Sequence, residues 1–307
     1  MTPPDAPVVG VLHPGRMGAA VAAQALGHVA TVLWCSAGRS ASTAQRAAEA
    51  GLEEIQDLDE LLYRADVLLS ICPPIVAEDL ARAVAGRKYA GIFVEANAIS
   101  PARCNRIVTM LGEAGARVVD GAIFGPPPTN VSSVRIYLAG EPNATRIIEQ
   151  IFAGTTVQPV ILGVSPPRAS ALKIADASYQ KAARALAAIA HAMAAEYGVT
   201  EHLLSEADRI QGSPLIDLEY LPSVAARAWR WAPEMLEVAD SFTEVGLPPE
   251  FALAAAKVLS RWHGDKDDWH LPLSHLLQQL KIRPTTATDP AGSAQSWSHS
   301  TRAREPW

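Results

Sequence analysis

A change of pattern near residue 165 is the feature that most constrains how this chain can fold. Before it, short and almost wholly apolar runs alternate with alanine-rich stretches of helical character. Continuous apolar runs are typical of parallel strands that are covered on both faces. The alternation predicts an α/β domain over residues 1–165, built on a doubly wound parallel sheet. The predicted strands are Val8–Leu12, Ala30–Trp34, Val67–Ile71, Ile92–Glu95, Arg117–Asp120 and Val134–Ala139.

The pattern after Gly163 contains no further strands. Arg168–Tyr197 has neither glycine nor proline, which predicts one interdomain helix of about 45 Å. Gly198 is a suitable C-cap for that helix. We expect an all-α domain over residues 166–283, with breaks near Gly212–Pro214, Gly246–Pro249 and Gly264. Residues 284–307 are rich in Thr, Ser, Ala and Pro, and we expect this tail to be disordered.

Composition excludes several classes of protein. The 307 residues favour two domains at about 150 residues each. The formal net charge is −6, which argues against a nucleic-acid-binding surface. There is no apolar stretch of the roughly 20 residues that a membrane span needs, and residues 1–7 do not resemble a signal peptide. The three cysteines form no C-x-x-C, so neither disulfides nor a metal site is expected, and the interpretation is a reduced, cytoplasmic protein.

A glycine-containing turn follows the first predicted strand. Gly15 would let the backbone approach a pyrophosphate, and Gly18 would allow close helix–strand packing. His13 stands where the G-x-G-x-x-G pattern has its first glycine. An ordinary βα turn with capping glycines is the alternative. Because a strand and a helix flank the turn at the right distance, we expect it to bind a dinucleotide. The candidate residues are Leu12, His13, Pro14, Gly15, Arg16, Met17 and Gly18.

The end of the second predicted strand indicates which dinucleotide. It lacks the acidic residue that usually binds the ribose of NAD. Instead it offers Arg39, with hydroxyls at Ser36 and Ser40. A guanidinium and hydroxyls suit a 2′-phosphate, since they supply charge and donors together. The sequence therefore favours NADP(H), the alternative being that Arg39 is a solvated loop residue.

Five strings of the sequence occur in the order and spacing of one family. Over about residues 8–265 the chain resembles the β-hydroxyacid dehydrogenase superfamily. That group includes phosphogluconate dehydrogenase, hydroxyisobutyrate dehydrogenase and the imine reductases, and the chain is most similar to a branch whose C-terminal helical domain has no assigned function. The resemblance implies a Rossmann-like nucleotide domain. The strings are Arg16-Met17-Gly18, Ser70-Ile71-Cys72-Pro73-Pro74, Glu95-Ala96-Asn97-Ala98-Ile99-Ser100-Pro101, Asp120-Gly121-Ala122-Ile123-Phe124-Gly125-Pro126-Pro127-Pro128 and Ser170-Ala171-Leu172-Lys173.

Two departures from the family pattern concern the substrate. The Ser-Gly-Gly that grips a carboxylate in hydroxyacid dehydrogenases is replaced by Phe124, Gly125 and Pro126. The asparagine that usually follows the family's lysine is replaced by Asp176 and Ala177. Two features that recognise a small hydroxyacid are therefore missing. Both carbonyl/alcohol and imine/amine chemistry stay open.

The resemblance also assigns candidate roles. Lys173 would be the catalytic lysine, with Asp176 beside it, because hydride transfer needs a partner proton and burial lowers the pKa of an amine towards neutrality. A structural Lys173–Asp176 pair on a solvated face is the alternative. Cys72, Pro73 and Asn97 would lie beside the nicotinamide ribose; Asn97 has an alternative as a helix N-cap, for which Ser100 is the better candidate. Candidate substrate-binding residues are Asn97, Gly121, Phe124, Gln180 and Trp231, although tryptophan clusters more commonly serve packing.

The sequence as a whole predicts an NADPH-dependent oxidoreductase that acts on a small carbonyl/alcohol or imine/amine substrate. One alternative is an imine reductase or reductive aminase specifically. Another, from a different class, is a catalytically silent NADP-binding sensor. The long alanine-rich helix and the helices that carry tryptophan present more apolar surface than a small domain can cover, so we also expect a homodimer.

Overall fold

Residues 6–210 and 214–281 are described in a computed structural model of the chain. The tail at 284–307, expected to be disordered, lies outside these residues. The described chain contains a sheet of eight strands in the order β3-β2-β1-β4-β5-β6-β7-β8. The strands are β1 (Val8–Val11), β2 (Thr31–Cys35), β3 (Glu53–Ile55), β4 (Val67–Ser70), β5 (Ile92–Glu95), β6 (Arg117–Phe124), β7 (Val134–Gly140) and β8 (Val157–Gly163).

Helices flank the sheet and then form the rest of the described chain. The six helices between strands cover the two faces of the sheet, and the remaining five follow β8. Their bounds are α1 (Arg16–Ala25), α2 (Ala41–Glu49), α3 (Leu58–Arg64), α4 (Ala77–Ala85), α5 (Pro101–Glu113), α6 (Pro142–Ile151), α7 (Arg168–Glu196), α8 (Thr200–Asp208), α9 (Leu221–Glu244), α10 (Glu250–Leu259) and α11 (Leu273–Gln279). Short 3-10 turns are at Pro74–Val76, Pro214–Ile216, Leu218–Tyr220 and Ser260–Asp265.

The predicted Rossmann-like α/β fold followed by helices is confirmed, with three differences in the sheet. The polar strand β3 was not predicted, because its residues Glu53 and Glu54 are exposed at the sheet edge. The other edge strand, β8, was also missed, since it contains Pro159, and proline is confined to edge positions of a sheet. Strand β7 runs antiparallel to β6, whereas the pattern predicted a fully parallel sheet.

Apolar side chains form three buried clusters. One lies on each face of the sheet, around Val94 and Phe93 respectively. The third lies among α7, α9, α10 and α11, around Met235 and Trp262. The indole N–H of Trp262 donates to the carbonyl of Leu276 at 3.1 Å, so this buried ring has a polar partner. Within the described residues, no helix combines the length and the apolar character that a membrane crossing requires.

Candidate active site

The carboxyl ends of β1, β4, β5 and β6 lie side by side at one edge of the sheet. The chain reverses its order of strands between β1 and β4, and open α/β sheets bind ligands at such a point. The turns that follow these four strands carry most of the predicted site residues. Helix α7 passes over the same edge, since it contacts β6 and β7.

The turn after β1 has the geometry of a phosphate-binding loop. Gly15 is the N-cap of α1 and has extended backbone angles, with no side chain capping the helix and no acidic residue in its first turn. A Cβ on Gly18 would collide with the carbonyl oxygen of His13, so helix and turn approach more closely than any other residue permits. Uncapped amides at a helix start attract anions. The turn therefore fits a dinucleotide despite its histidine.

Two arginines fold over this turn. Arg39 donates to Nδ1 of His13 and to the carbonyl oxygen of Leu12, both at 3.0 Å. Arg46 donates to the carbonyl oxygen of Pro14 at 3.3 Å. The Arg39 Nε is buried and has no hydrogen-bond partner.

The state of His13 follows from this contact. An arginine can only donate, so Nδ1 of His13 accepts and the neutral ring carries its proton on Nε2. Burial, together with the charges of Arg39 and Arg46, lowers the pKa of His13. The residue in place of the family's glycine is thus a neutral ring held against the turn.

The hydroxyl groups of Ser36 and Ser40, which were predicted to bind the 2′-phosphate, have hydrogen-bond partners within the protein. Ser40 is the N-cap of α2 and accepts from the N–H of Thr43 at 3.3 Å. Ser36 donates weakly to the carbonyl of Ile55 at 3.4 Å. Of the three residues proposed for the 2′-phosphate, Arg39 therefore has the most direct contact with the nucleotide turn.

Asn97 lies at the centre of a buried polar network after β5. Its Oδ1 accepts from the N–H of Cys72 at 2.6 Å, and its Nδ2 donates to Ser70 Oγ at 3.1 Å and to Glu95 Oε1 at 2.5 Å. Both amide hydrogens are therefore used inside the protein, and only an Oδ1 lone pair remains for a ligand. Ser100 caps α5, accepting from the N–H of Arg103 at 3.3 Å.

The carboxyl group that holds Asn97 is fully buried. Glu95 has no exposed surface, and its Oε2 has no partner. Burial raises the pKa of Glu95 to about 7, and the charge of Asp120 on the neighbouring strand adds to the rise. Burial also raises the pKa of the Cys72 thiol to about 12, which excludes it as a nucleophile at neutral pH.

Asp120 anchors the start of α7. Its carboxylate accepts from the backbone N–H of Ala169 at 2.7 Å, and from the N–H and hydroxyl of Ser170 at 3.1 and 2.6 Å. The N-cap residue of α7, Pro167, supplies no capping side chain. A carboxylate from β6 thus satisfies helix amides that are otherwise unpaired, a favourable arrangement for a negative charge.

Lys173 lies one turn further along α7. Its Nζ donates to the carbonyl oxygen of Ile123 at 2.7 Å and lies 4.3 Å from the centroid of the Phe124 ring. Burial and the charge of Lys181 lower the pKa of Lys173, while Glu234 and Asp176 oppose the shift. Lys173 makes no ion pair with Asp176 among the described residues. The amine is held by a backbone carbonyl and faces a cavity.

That cavity has a volume of about 350 Å³ and lies between the sheet edge and the helices. Four cationic side chains and two carboxylates line it. They are Lys173, Lys181, Arg184 and Arg230, with Asp176 and Glu234. Lys181 and Glu234 form an ion pair. From the side of the sheet the cavity is lined by Met17, Ile71, Ala96, Asn97, Ala98, Ala122, Ile123 and Gly125.

The residues predicted to bind the substrate do not all line this cavity. Gln180 and Trp231 line the cavity, and Trp231 also packs against the helical cluster. Phe124 is outside the lining but contacts Lys173 through its ring. Gly121 is buried within β6, where a Cβ would approach Ala96 closely, and it does not line the cavity.

Several residues of this region were not predicted. Glu95 and Asp120 belong to the family strings, but only the fold shows that each is a hydrogen-bonding hub. Arg46 and Glu234 carry no local signal. Helical spacing is the one hint for Lys181, because it follows Lys173 by eight residues on an alanine-rich helix. Within the described chain, no group of three or more His, Cys, Asp or Glu side chains is suited to a metal ion.

The sequence is similar to a known family model and to a protein from another organism. Residues 194–262 match the family described as a domain of unknown function, DUF1932. An uncharacterized 28.5 kDa protein from Methanothermus fervidus, encoded in the 5′ region of 7S RNA, is 27% identical over 184 residues, which cover 60% of this chain and 70% of that protein.

Solved structures share the fold over most of the chain. The 3-hydroxyisobutyrate dehydrogenase of Mycobacterium tuberculosis has a TM-score of 0.69 at 16% identity, covering 90% of this chain and 100% of that one. A reductive aminase of Aspergillus terreus, solved with NADPH and ethyl-5-oxohexanoate, has a TM-score of 0.54 at 20% identity with the same coverage. The chain therefore has the fold of the β-hydroxyacid dehydrogenases and imine reductases, which is the fold that the resemblance implied.

Proposed function

We propose that this chain is an NADPH-dependent oxidoreductase that transfers hydride between the cofactor and a small carbonyl/alcohol or imine/amine substrate. The observation that carries the proposal is the position of Lys173. Its amine lies in the cavity that begins at Met17, in the first turn of the nucleotide helix, and extends to α9. The structural neighbours named above include a dehydrogenase and an aminase with NADPH bound.

The residues of the nucleotide turn would hold the cofactor. The first amides of α1, with Gly15 and Gly18, would receive the pyrophosphate. Cys72, Pro73 and Asn97 follow β4 and β5 at the same sheet edge and would border the ribose. When bound, the nicotinamide supplies or accepts the hydride.

Lys173 would supply the accompanying proton. In the reducing direction its ammonium donates to the developing alkoxide or amine nitrogen, and in the oxidising direction the neutral amine removes that proton. Burial lowers the pKa of Lys173, which eases its deprotonation. Asp176, at the same cavity, would modulate this charge from a distance rather than by pairing.

The proposed preference for NADP(H) is based on the positions of two arginines. Arg39 and Arg46 both reach the turn at residues 12–14, and a dianionic 2′-phosphate requires concentrated positive charge.

The first test is a titration of NADPH and NADH, separately, followed by nicotinamide fluorescence. Tight binding of NADPH and weak binding of NADH are expected. If neither cofactor binds, the enzymatic function is wrong. Binding of NADPH without turnover on a broad panel of ketones, imines and alcohols would support the alternative of a silent NADP-binding sensor. Activity with imines alone would select an imine reductase.

A homodimer is proposed from the exposed face of α7. Apolar side chains recur there at helical spacing and lie in water in the isolated chain. They are Tyr179, Leu186, Ile189, Met193 and Tyr197. Light scattering at micromolar concentration tests this, and a monomer would contradict it; Leu186→Glu with Met193→Glu is expected to dissociate the dimer.

The division into a nucleotide domain at 1–165 and a helical domain at 166–283 is likewise proposed. The separate cluster around Met235 and Trp262 supports it, because a helical unit with its own core can be a domain. The cytoplasmic location stays a prediction from the sequence; the three cysteines are free.

A further inference from the structure

A second cavity of about 470 Å³ adjoins the first one along α7. Gln180, Arg184 and Tyr220 line both cavities, so the two spaces meet at these three side chains. Lys173, Gln180 and Arg184 are seven and then four residues apart, which places them along one face of the helix. A molecule that reaches Lys173 and extends along α7 would therefore enter the second cavity.

The residues that line both cavities contact one another through their side chains. The Arg184 guanidinium stacks on the Tyr220 ring, with 4.5 Å from its carbon to the ring centroid. The same guanidinium donates to Gln180 Oε1 at 2.7 Å. Gln180 is exposed and Arg184 is half-buried, so both side chains can adopt other rotamers.

The two cavities differ in chemistry. The first holds the amines, carboxylates and guanidiniums described above. The second shares Gln180 and Arg184 with the first, and it is otherwise lined by the rings of Tyr179 and Tyr220, by the aliphatic side chains of Ile216, Leu221 and Val224, and by Asp217, the one carboxylate among its described lining residues. Among the described residues, its lining includes no lysine, histidine or cysteine. The second cavity thus offers aromatic and aliphatic surface to an apolar group, beside the polar side chains of Gln180, Arg184 and Asp217.

Resting on the proposed function, we propose that the substrate has two parts: a carbonyl or imine that reacts beside Lys173, and an aryl group that binds in the second cavity. The two cavities are together as large as pockets that hold drug-sized ligands. An aryl ring would pack against Tyr179 and Ile216, and the Arg184 guanidinium would stack on it in place of Tyr220. Arg184 and Tyr220 are then the residues that determine substrate size.

The test compares two ketones that differ in the aryl group, 4-phenylbutan-2-one and butan-2-one. Their binding to the full chain is measured by saturation-transfer NMR titration, with and without NADP⁺. The aryl ketone is expected to bind at least about tenfold more tightly, because its ring loses apolar surface to the second cavity. Equal affinities would overturn the proposal.

The variant Ile216→Trp fills the second cavity and leaves the first unaltered. Ile216 is 44% exposed, so the larger side chain can be accommodated without disturbing the core. The expected result is a loss of at least about tenfold in affinity for the aryl ketone, with butan-2-one unchanged. Leu253→Trp is the matched control, since Leu253 is 46% exposed and lines neither cavity. An unchanged affinity in Ile216→Trp, or equal losses in both variants, would contradict the proposal.

A failure of the proposed oxidoreductase function would appear in a different measurement from a failure of aryl binding. NADPH titration of the wild-type chain reports on the nucleotide turn, and ring binding to the second cavity does not require the cofactor. With NADPH bound, the ratio of kcat/KM for the two ketones is expected to fall in Ile216→Trp and to stay constant in Leu253→Trp. A constant ratio in both variants would overturn the aryl specificity even for an active enzyme.

Discussion

The carboxylate of Asp120 on β6 accepts the backbone N–H of Ser170 at 3.1 Å and thereby fixes the first turn of α7. Three residues on in each element, Lys173 donates to the carbonyl of Ile123. The strand therefore holds the helix at two points, one of which is the amine proposed to be catalytic. Loss of the first contact should move the second.

Asp120→Asn is expected to lower both stability and turnover. An amide can accept from Ser170, but its Nδ2 cannot accept from Ala169, so one buried N–H loses its partner. The expected cost is about 1–3 kcal/mol of unfolding free energy, measured by urea denaturation. If the helix shifts, kcat should fall by about tenfold or more, since small misplacements of reacting groups are costly. Asp240→Asn, which removes a charge from the exposed face of α9, should change neither quantity.

Lys173→Met should reduce kcat by about 10²–10⁴-fold, the range for a lost general acid. The wild-type rate of reduction should fall as the pH rises through the pKa of Lys173, because the ammonium is the proton donor. That midpoint should lie below 10.5, since burial lowers the pKa. Lys173→Arg should move the midpoint upwards, as a guanidinium stays protonated. The exposed Lys257→Met is the control, and an equal loss there would contradict the assignment.

Arg39→Ala should weaken NADPH binding by about ten- to hundredfold, the value of one or two hydrogen bonds to a charged group. The affinity for NADH should stay nearly the same, because that cofactor has no 2′-phosphate. Fluorescence titration of both cofactors gives the ratio. Arg82→Ala, on the exposed side of α4, should leave it unchanged; a parallel loss of NADPH and NADH in Arg39→Ala would show that the residue only shapes the turn.

Glu95→Gln should make stability less dependent on pH. The folded-state pKa of Glu95 is about 7, above its ordinary value of 4.5, so the unfolded chain releases this proton at lower pH than the folded chain. The wild type therefore loses stability, relative to the variant, as the pH rises from about 4.5 to 7, on the order of 3 kcal/mol in total. Urea unfolding at pH 5 and pH 8 measures the difference. Glu149→Gln, at an exposed position, should follow the wild type at both pH values.

The elements that could be predicted are those with a local pattern. The apolar strands around β1, β4 and β5 and the uninterrupted α7 follow from short-range periodicity. The expectation that Lys173 lies in the cleft came from the resemblance to the family. The strands β3 and β8 were not predicted, because edge strands contact water and need no continuous apolar run. The antiparallel direction of β7 also has no local signal, since one strand pattern fits either direction.

Sequence by itself determined the α/β region, the long helix that follows it and the glycines of the nucleotide turn, because periodicity and glycine's small size act over a few residues. Only the tertiary structure decided that Asp120 caps a helix 49 residues away, that Arg39 holds His13, and that Glu95 uses both hydrogens of Asn97 together with Ser70. It also decided that the cavity which Lys173 faces adjoins a second cavity at Gln180, Arg184 and Tyr220. These contacts join residues that are far apart in the sequence. They form only when the secondary-structure elements pack together, and no local sequence pattern specifies that packing.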